Sequence, residues 1–449
     1  MNREIITILL ILLLFTTIVP LVTSLNNDNF DEFDLLIISQ EKFVSILESL
    51  STHKENMGIK TRIVKVEDIY KNFEGRDEPE QIKNAIKKSY DESNIRYVLL
   101  IGNFRQIPVR YCYNYDGYYS FDICFISDLY YADLYDREGF ISNWDSNNNG
   151  IFGEWNGKEA QDKNISLTPE ICIGRLPCNN IMQLKLLIGK IITYEEKTYG
   201  SEWFNNFVVA GGDTYSPATG HNDEIFNKNE GEENTEIAIQ IMKEFKPIRL
   251  WASNHKLTTY NLMKSINNGC GFLYLSGHGN PYTWATHPIN SSELIGKLTN
   301  FHIPFLVNGY KLPICIVGGC HNSQFDVHLL RILKDPYNYF TWIYSCWSWK
   351  LTNSIKGGSI ATIGNTGLSW QGLEYGGGGN NWINLQFFKE YNNGNKILGD
   401  VWKNSICAYL DSFPIDWNAP NGEISSLDAK TVQEWLLIGD PTLRIGGYP

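Results

Sequence analysis

Two apolar stretches, each ending at a reactive side chain, constrain this chain most tightly. Gly271-Phe-Leu-Tyr-Leu-Ser-Gly-His278-Gly279 runs out of apolar residues at a glycine-flanked histidine, and Leu312-Pro-Ile-Cys-Ile-Val-Gly-Gly-Cys320 does so at a cysteine. Short continuous apolar runs are what strands buried on both faces of a parallel sheet look like, and open α/β sheets place their sites beyond the carboxyl ends of such strands. Two neighbouring strands would present His278 and Cys320 side by side, as a base and a nucleophile. The glycines beside them permit sharp turns and close approach of a substrate chain. Taken singly, each residue also reads as inert: a buried core thiol, or a histidine satisfied within its loop. A zinc site built from His278, His287, Cys320 and His321 is a further reading, without the paired close spacing of zinc motifs.

The remainder of the chain fits a sheet of that kind. Strand-like segments at 34–39, 60–66 and 97–102 alternate with helical spacing over 41–55 and 80–93, an order that predicts a parallel, doubly wound sheet with right-handed crossovers. The turn at 102–108 lacks a phosphate-cradle spacing, which argues against a nucleotide site. A strand at 169–177 and a helix over 182–198 lead to a boundary near residue 200, dividing the chain into subdomains 25–200 and 201–449. An apolar content of 43% supplies material for both. Alternation restarts with a strand over 207–213 that ends at Asp213, where a carboxylate can face the site. Polar residues 216–235 read as a surface loop over the active edge, closing on the acidic run Glu230-Gly-Glu-Glu-Asn234, for which a solvated helix start is the plain alternative. A helix over 236–245 and strands at 248–252 and 359–364 follow, then a flexible glycine run at 376–379.

The chain opens with Met1-Asn-Arg-Glu, an apolar run over 5–22, and Thr23-Ser24, the pattern of a secretory signal at residues 1–24, or of an uncleaved anchor. A formal net charge of −12 argues against a nucleic-acid partner and suits an exported soluble protein. Nine cysteines is an odd number, so an exported chain would keep one free thiol. Cys112 with Cys124, or Cys172 with Cys178, are close enough in sequence to pair, and buried unpaired cysteines are the alternative.

A second chemical signal lies in Trp144-Asp145-Ser-Asn147-Asn-Asn149-Gly150-Ile-Phe-Gly-Glu154. Oxygen side chains at alternate positions before a glycine form the first half of a calcium loop. The twelfth position is Asn156 rather than glutamate, so Glu154 would complete a set with Asp145, Asn147 and Asn149, and Asp133 or Asp136 could add a carboxylate. The ion would be structural, with no cofactor needed for catalysis. An Asx-rich turn is the alternative.

Three motifs then resemble one family: Ser276-Gly-His-Gly-Asn-Pro-Tyr-Thr-Trp284, Gly319-Cys-His-Asn-Ser-Gln-Phe-Asp326 and Ile438-Gly-Asp-Pro-Thr-Leu-Arg444 look like the gingipain family of caspase-like cysteine peptidases. The resemblance extends, more weakly, from about Asp34 to the C-terminus. It implies a caspase-like α/β fold of doubly wound, mostly parallel sheets with flanking helices, and a secreted endopeptidase acting on protein or peptide substrates. It makes Cys320 the nucleophile, His278 the proton carrier, and the N–H groups of Gly279 and Cys320 the oxyanion hole. Asp213 matches the position of a carboxylate, usually glutamate, beside the histidine. Trp370 would line the pocket for the residue before the cut, with Trp284 packed beside the histidine loop or in the core. Members that cut after arginine carry an aspartate where Asn234 aligns. Glu232 or Glu233 would replace it and pair with a basic substrate residue. Such members often hold calcium in a loop like 145–154. Ser323, where the family commonly has glycine, supports a rival reading: a catalytically inactive, calcium-dependent surface or binding protein on the same fold.

Overall fold

The computed structural model describes residues 32–116, 123–214, 228–328, 343–372 and 377–449. The 1–24 signal and most of the 216–235 loop lie outside the described residues. Among the described residues no helix is long and apolar enough to cross a membrane.

The first half contains β1 (Leu35–Ser39), α1 (Glu41–Asn56), β2 (Thr61–Lys65), α2 (Val66–Asn72), α3 (Glu78–Ser93), β3 (Tyr97–Ile101), β4 (Arg110–Asn114), β5 (Cys124–Ser127), β6 (Phe152–Trp155), β7 (Cys172–Leu176) and α4 (Ile181–Lys197). Local chemistry explains its boundaries. Asp77 caps α3 by accepting from Glu80 N–H, Pro79 sits in the first turn, and Asn94 ends the helix in the left-handed region. Asn180 caps α4 through Gln183 N–H in the same way. The short helix α2 replaces the end of the expected 60–66 strand, because Val66 and Ile69 share a buried helical face and Glu67 and Asp68 fall in the first turn.

The second half runs β8 (Asn206–Gly211), α5 (Glu230–Ile241), β9 (Lys246–Trp251), α6 (Thr259–Asn268), β10 (Phe272–Ser276), β11 (His278–Asn280), β12 (Thr283–Thr286), β13 (Ile295–Thr299), β14 (Ile314–Gly318), α7 (Trp347–Thr352), β15 (Ala361–Asn365), α8 (Gly379–Asn392), α9 (Leu398–Ser412), α10 (Ile424–Glu434) and β16 (Trp435–Ile438).

One ten-stranded sheet organises both halves, in the order β2-β1-β3-β7-β16-β15-β14-β10-β8-β9. Every pairing in it is parallel except β15 with β16. The sheet is therefore two parallel blocks of opposite direction, and β16, from the far end of the chain, completes the first block beside β7. Strands on either side of residue 200 belong to this one sheet. The opposed directions send the carboxyl ends of β1, β3 and β7 to one edge and those of β8, β10 and β14 to the other.

Both faces of the second block are covered. Phe272 and Tyr274 of β10, with Ile314 and Ile316 of β14, enter one core, whereas Leu273, Leu275, Cys315 and Val317 enter the other. That alternation within an unbroken apolar run is what a strand buried on both sides requires. One buried charge is fully paired: Arg175 forms a two-pronged pair with Asp128 at 2.7 Å and donates to the carbonyls of Gly102 and Ile107. The third sequence motif is structural too. Asp440 pairs with Lys54 at 2.7 Å, and Lys54 also meets Glu195 at 2.9 Å, all three buried. Burial alone would lower the Lys54 pKa, but Asp440 and Glu195 more than reverse this and hold it above its ordinary value.

Neither suggested cysteine pair is bridged. Cys112 and Cys124 sit on β4 and β5, where Cys112 faces Phe125 and Tyr113 faces Cys124, so their side chains leave opposite faces of that small sheet. Cys172 begins β7 and Cys178 lies past its end; the strand alone spans ~13 Å, beyond the roughly 7 Å Cα reach of a disulfide.

Candidate active site

The register of β10 on β14 places Ser276 opposite Gly318, and Gly277 N–H donates to Gly318 O at 3.1 Å. His278 and Cys320 each follow that register pair by two residues, on neighbouring strands that end at the same edge. The chain then turns off the main sheet, as β11 pairs with β12 in a small antiparallel sheet completed by β13. The two loops touch through their backbones: a Cβ on Gly319 would fall 2.9 Å from Gly279 N, and one on Gly279 would fall 2.1 Å from Asn322 Oδ1. Glycine is required at both positions for packing. The half-buried Cys320 thiol lies 3.6 Å from Ser369 Oγ.

His278 hydrogen-bonds the Thr214 backbone, and its ring stacks on His287 with centroids 5.4 Å apart and planes inclined by 26°. Its pKa is pushed down to about 4, first by burial and then by His287, with the Thr214 bond opposing. Asp213, expected as the carboxylate near His278, approaches the ring of His287. Its N–H donates to His287 O at 2.9 Å, and its Oδ2 lies 4.0 Å from His287 Nδ1. The physical reason is the Asp213–His287 bridge, which pins the short aspartate alongside the later residue.

A second carboxylate enters the site from Glu230, the first residue of α5. Its Oε2 accepts from Thr214 N at 3.1 Å and Thr214 Oγ1 at 3.3 Å, and Thr214 Oγ1 in turn meets Gln371 Oε1 at 3.0 Å. Burial pushes the Glu230 carboxyl up to about 7, and Asp213 adds to the shift. Its Oε1 is buried without a hydrogen bond among the described residues. Sequence reasoning passed over Glu230 by starting the helix at 236.

That earlier helix start also redistributes the other expected pocket residues. Side chains four apart share a helix face, so Asn234 follows Glu230 inward, but one turn deeper. It donates to Tyr274 OH at 2.6 Å and to Asn381 Oδ1 at 2.9 Å, beneath the site rather than in it. Glu232 is held by Ser253, accepting from its N–H at 2.8 Å and its hydroxyl at 2.5 Å, and Glu233 is exposed. Asn234 and Glu232 are thus committed to contacts within the protein, and Glu233 faces solvent. Trp284 is fully buried in the core under Gly277, where it supports the histidine loop. Trp370 is half-buried directly after Ser369, and its carbonyl accepts from Asn380 N at 2.8 Å. Ser323 points away from the edge and donates to Ser348 Oγ at 2.8 Å. The four residues of the zinc reading do not assemble: His321 is buried against Gln324, and no three His, Cys, Asp or Glu side chains among the described residues are grouped to hold a metal.

The candidate calcium loop has the backbone such a loop needs. Asp145 accepts from Asn149 N at 3.0 Å and Gly150 N at 3.1 Å, Asn147 Oδ1 from Asn149 N, and Gly150 has a positive φ of 82°. Glu154 Oε2 closes the cluster, 2.7 Å from Asn149 Nδ2. The turn has the shape of a calcium loop, and its two carboxylates are held by other groups here: Asp145 by Arg76 at 2.7 Å, and Glu154 by the Asn147 and Asn149 amides.

Comparison with known proteins bears on family and fold. The model of peptidase family C25 matches residues 28–446. Gingipain R2 of Porphyromonas gingivalis is 21% identical over 423 residues, covering 92% of this chain and 46% of its own length. The chain thus spans less than half of that curated relative. An uncharacterised protein of Archaeoglobus fulgidus is 23% identical over 359 residues, 76% of this chain and 77% of that protein. Among solved structures, the complex of the pro- and mature domains of P. gingivalis RgpB aligns with a TM-score of 0.63 at 17% identity, over 92% of this chain and 79% of that one. The structure described as the Arg-specific cysteine proteinase gingipain R aligns with a TM-score of 0.64 at 16% identity, over 92% and 78%. The caspase-like fold is shared with both.

Proposed function

The chain belongs to peptidase family C25, and from that premise we propose that it is an exported cysteine endopeptidase working through Cys320 and His278. One observation carries this reading: the two residues follow a single register pair of adjacent parallel strands, with Gly279 and Gly319 in backbone contact between them. A histidine kept neutral by burial accepts the thiol proton as sulfur attacks the scissile carbonyl carbon. The oxyanion would be met by the N–H groups of Gly279 and Cys320. The imidazolium then protonates the departing amine, leaving a thioester. Water, deprotonated by His278, attacks the thioester, releasing the acid and returning the proton to sulfur. Acid–base assistance of this kind contributes roughly a hundred- to ten-thousand-fold.

Substrate preference, on this reading, rests with Glu230 in place of Glu232 and Glu233. A half-buried carboxylate with one oxygen that accepts no hydrogen bond among the described residues, linked through Thr214 and Gln371 to the Trp370 loop, suits a cationic side chain before the cut, whose guanidinium or ammonium would keep it ionised. Calcium in the 145–154 loop and export through residues 1–24 belong to the same proposal.

The test is cleavage-site profiling on a mixed peptide library with wild type, Cys320→Ala and Glu230→Gln. The expected result is cutting after Arg or Lys that Cys320→Ala abolishes and whose basic preference Glu230→Gln removes. Absence of any cleavage by folded wild type, together with inert Cys320 towards iodoacetamide, would instead favour the inactive binding protein.

A further inference from the structure

One side chain joins the histidine loop to the cysteine loop. Asn322, two residues past Cys320, is fully buried, and its Nδ2 donates to Asn280 O at 2.8 Å and to Thr283 O at 3.0 Å. Those two acceptors face each other across the β11–β12 turn that carries His278 and Gly279. The other end of the amide presses on the backbone of both loops: a Cβ would fall 2.1 Å from Asn322 Oδ1 at Gly279 and 2.4 Å from it at Gly319. Its main chain is fixed from behind, since Asn322 O accepts from Ser348 N at 2.9 Å, next to the start of α7.

The chemistry of this strut is specific to asparagine. Bridging two carbonyls from one atom takes an NH2 group with both hydrogens committed. Aspartate offers none, and glutamine is one methylene too long for a gap that admits no Cβ on either flank. The arrangement also leaves Oδ1 buried without a hydrogen bond among the described residues. An orphan acceptor of that kind costs stability, a penalty that persists where geometry matters more than stability.

Building on the peptidase reading, we propose that Asn322 is a positioning residue that sets the spacing between the Gly279 and Cys320 N–H groups. It touches neither substrate nor reacting atoms. It holds the turn after His278 at a fixed height above Gly319, and so fixes where the Gly279 amide points relative to that of Cys320. Misplacing one oxyanion donor typically lowers turnover by roughly a hundred- to a thousand-fold.

The experiment compares wild type with Asn322→Asp and Asn322→Ala in two reactions of the same thiol. Peptide hydrolysis builds an oxyanion; alkylation by iodoacetamide displaces iodide from a methylene carbon and builds none. The expected result is a fall in kcat of about a hundredfold with KM changed by less than about threefold, while Cys320 is alkylated at the wild-type rate. Unchanged kcat in a folded variant would overturn the proposal alone. Turnover and alkylation falling together would overturn it as well, since that marks collapse of the whole site. So would failure of both variants to fold, which would make Asn322 a residue of the fold. A wild type that alkylates but hydrolyses nothing would instead remove the peptidase reading on which the proposal stands.

Discussion

A histidine held near 4 behaves differently from one in water, and the sign of the effect can be followed. His278 stays neutral, and competent as a base, well below the pH at which an ordinary imidazole is protonated. Against its ring lie His287, just past the end of β12, and the Thr214 backbone, while Asp213, Glu230 and Cys320 are the other titratable groups of the site. Removing His287 as His287→Gln deletes a like-charge contribution, so the His278 pKa rises and the acid limb of kcat/KM shifts to higher pH. An unmoved limb in the pH–rate profile would show that burial alone sets it. For stability, the folded protein binds fewer protons at His278 than the unfolded chain between about pH 4 and 6.5. Stability is therefore lost as pH falls through that window. Glu230 adds a trend of the same sign for specificity: with its carboxyl near 7, preference for a basic residue should strengthen from pH 6 to 8 and vanish in Glu230→Gln. At this scale the sequence was legible where chemistry coincides with local pattern. Cys320 and His278 end apolar runs beside glycines. Glu230, Thr214 and Asn322 act through neighbours far away in the chain, and nothing in their own surroundings announces it.

Elements were readable where their termini carry capping chemistry, as at α3 and α4, and less so where tertiary contacts decide. The first turn of α5 packs against the ends of β8 and β10, and Gly231 is tightly placed between Gly212 and Ser276 O. That contact starts the helix six residues before the apolar periodicity does, and it turns an acidic run that reads as solvated into one carboxylate in the site and one held by Ser253. The small β11–β12–β13 sheet also escaped notice, since its strands are short and partly polar. The loop at 145–154 makes its own prediction. Calcium at about a hundred times its Kd should stabilise the fold by about 2.7 kcal/mol, raising Tm. Asp145→Ala should erase the gain, whereas identical melting with calcium and with chelator would leave a plain turn. Wild type and Arg76→Ala melted side by side would show whether the guanidinium competes, the variant binding more tightly if it does.

Across the whole molecule, the parallel α/β layering followed from the alternation of segments, but the reversal at its centre did not. Residues 435–438 are too few to signal a strand, and their place between β7 and β15 is set only by the completed sheet. The C-terminal motif is anchored nearby through Asp440, Lys54 and Glu195. Asp440→Asn takes one counter-charge from a buried ammonium and should destabilise the fold by about 3 kcal/mol, read as a lowered denaturation midpoint with unchanged slope. An unaltered midpoint would mean that Glu195 alone suffices. The position of β16 also dictates an order of events in time. While the chain is being made, β2, β1, β3 and β7 can pair early, but β7 must wait with one flank bare until Trp435–Ile438 emerge from the ribosome. A bare strand flank invites pairing with other chains. The nascent protein is thus most vulnerable to aggregation during the synthesis of its own second half, and a chain halted before Trp435 would be left permanently open down the middle.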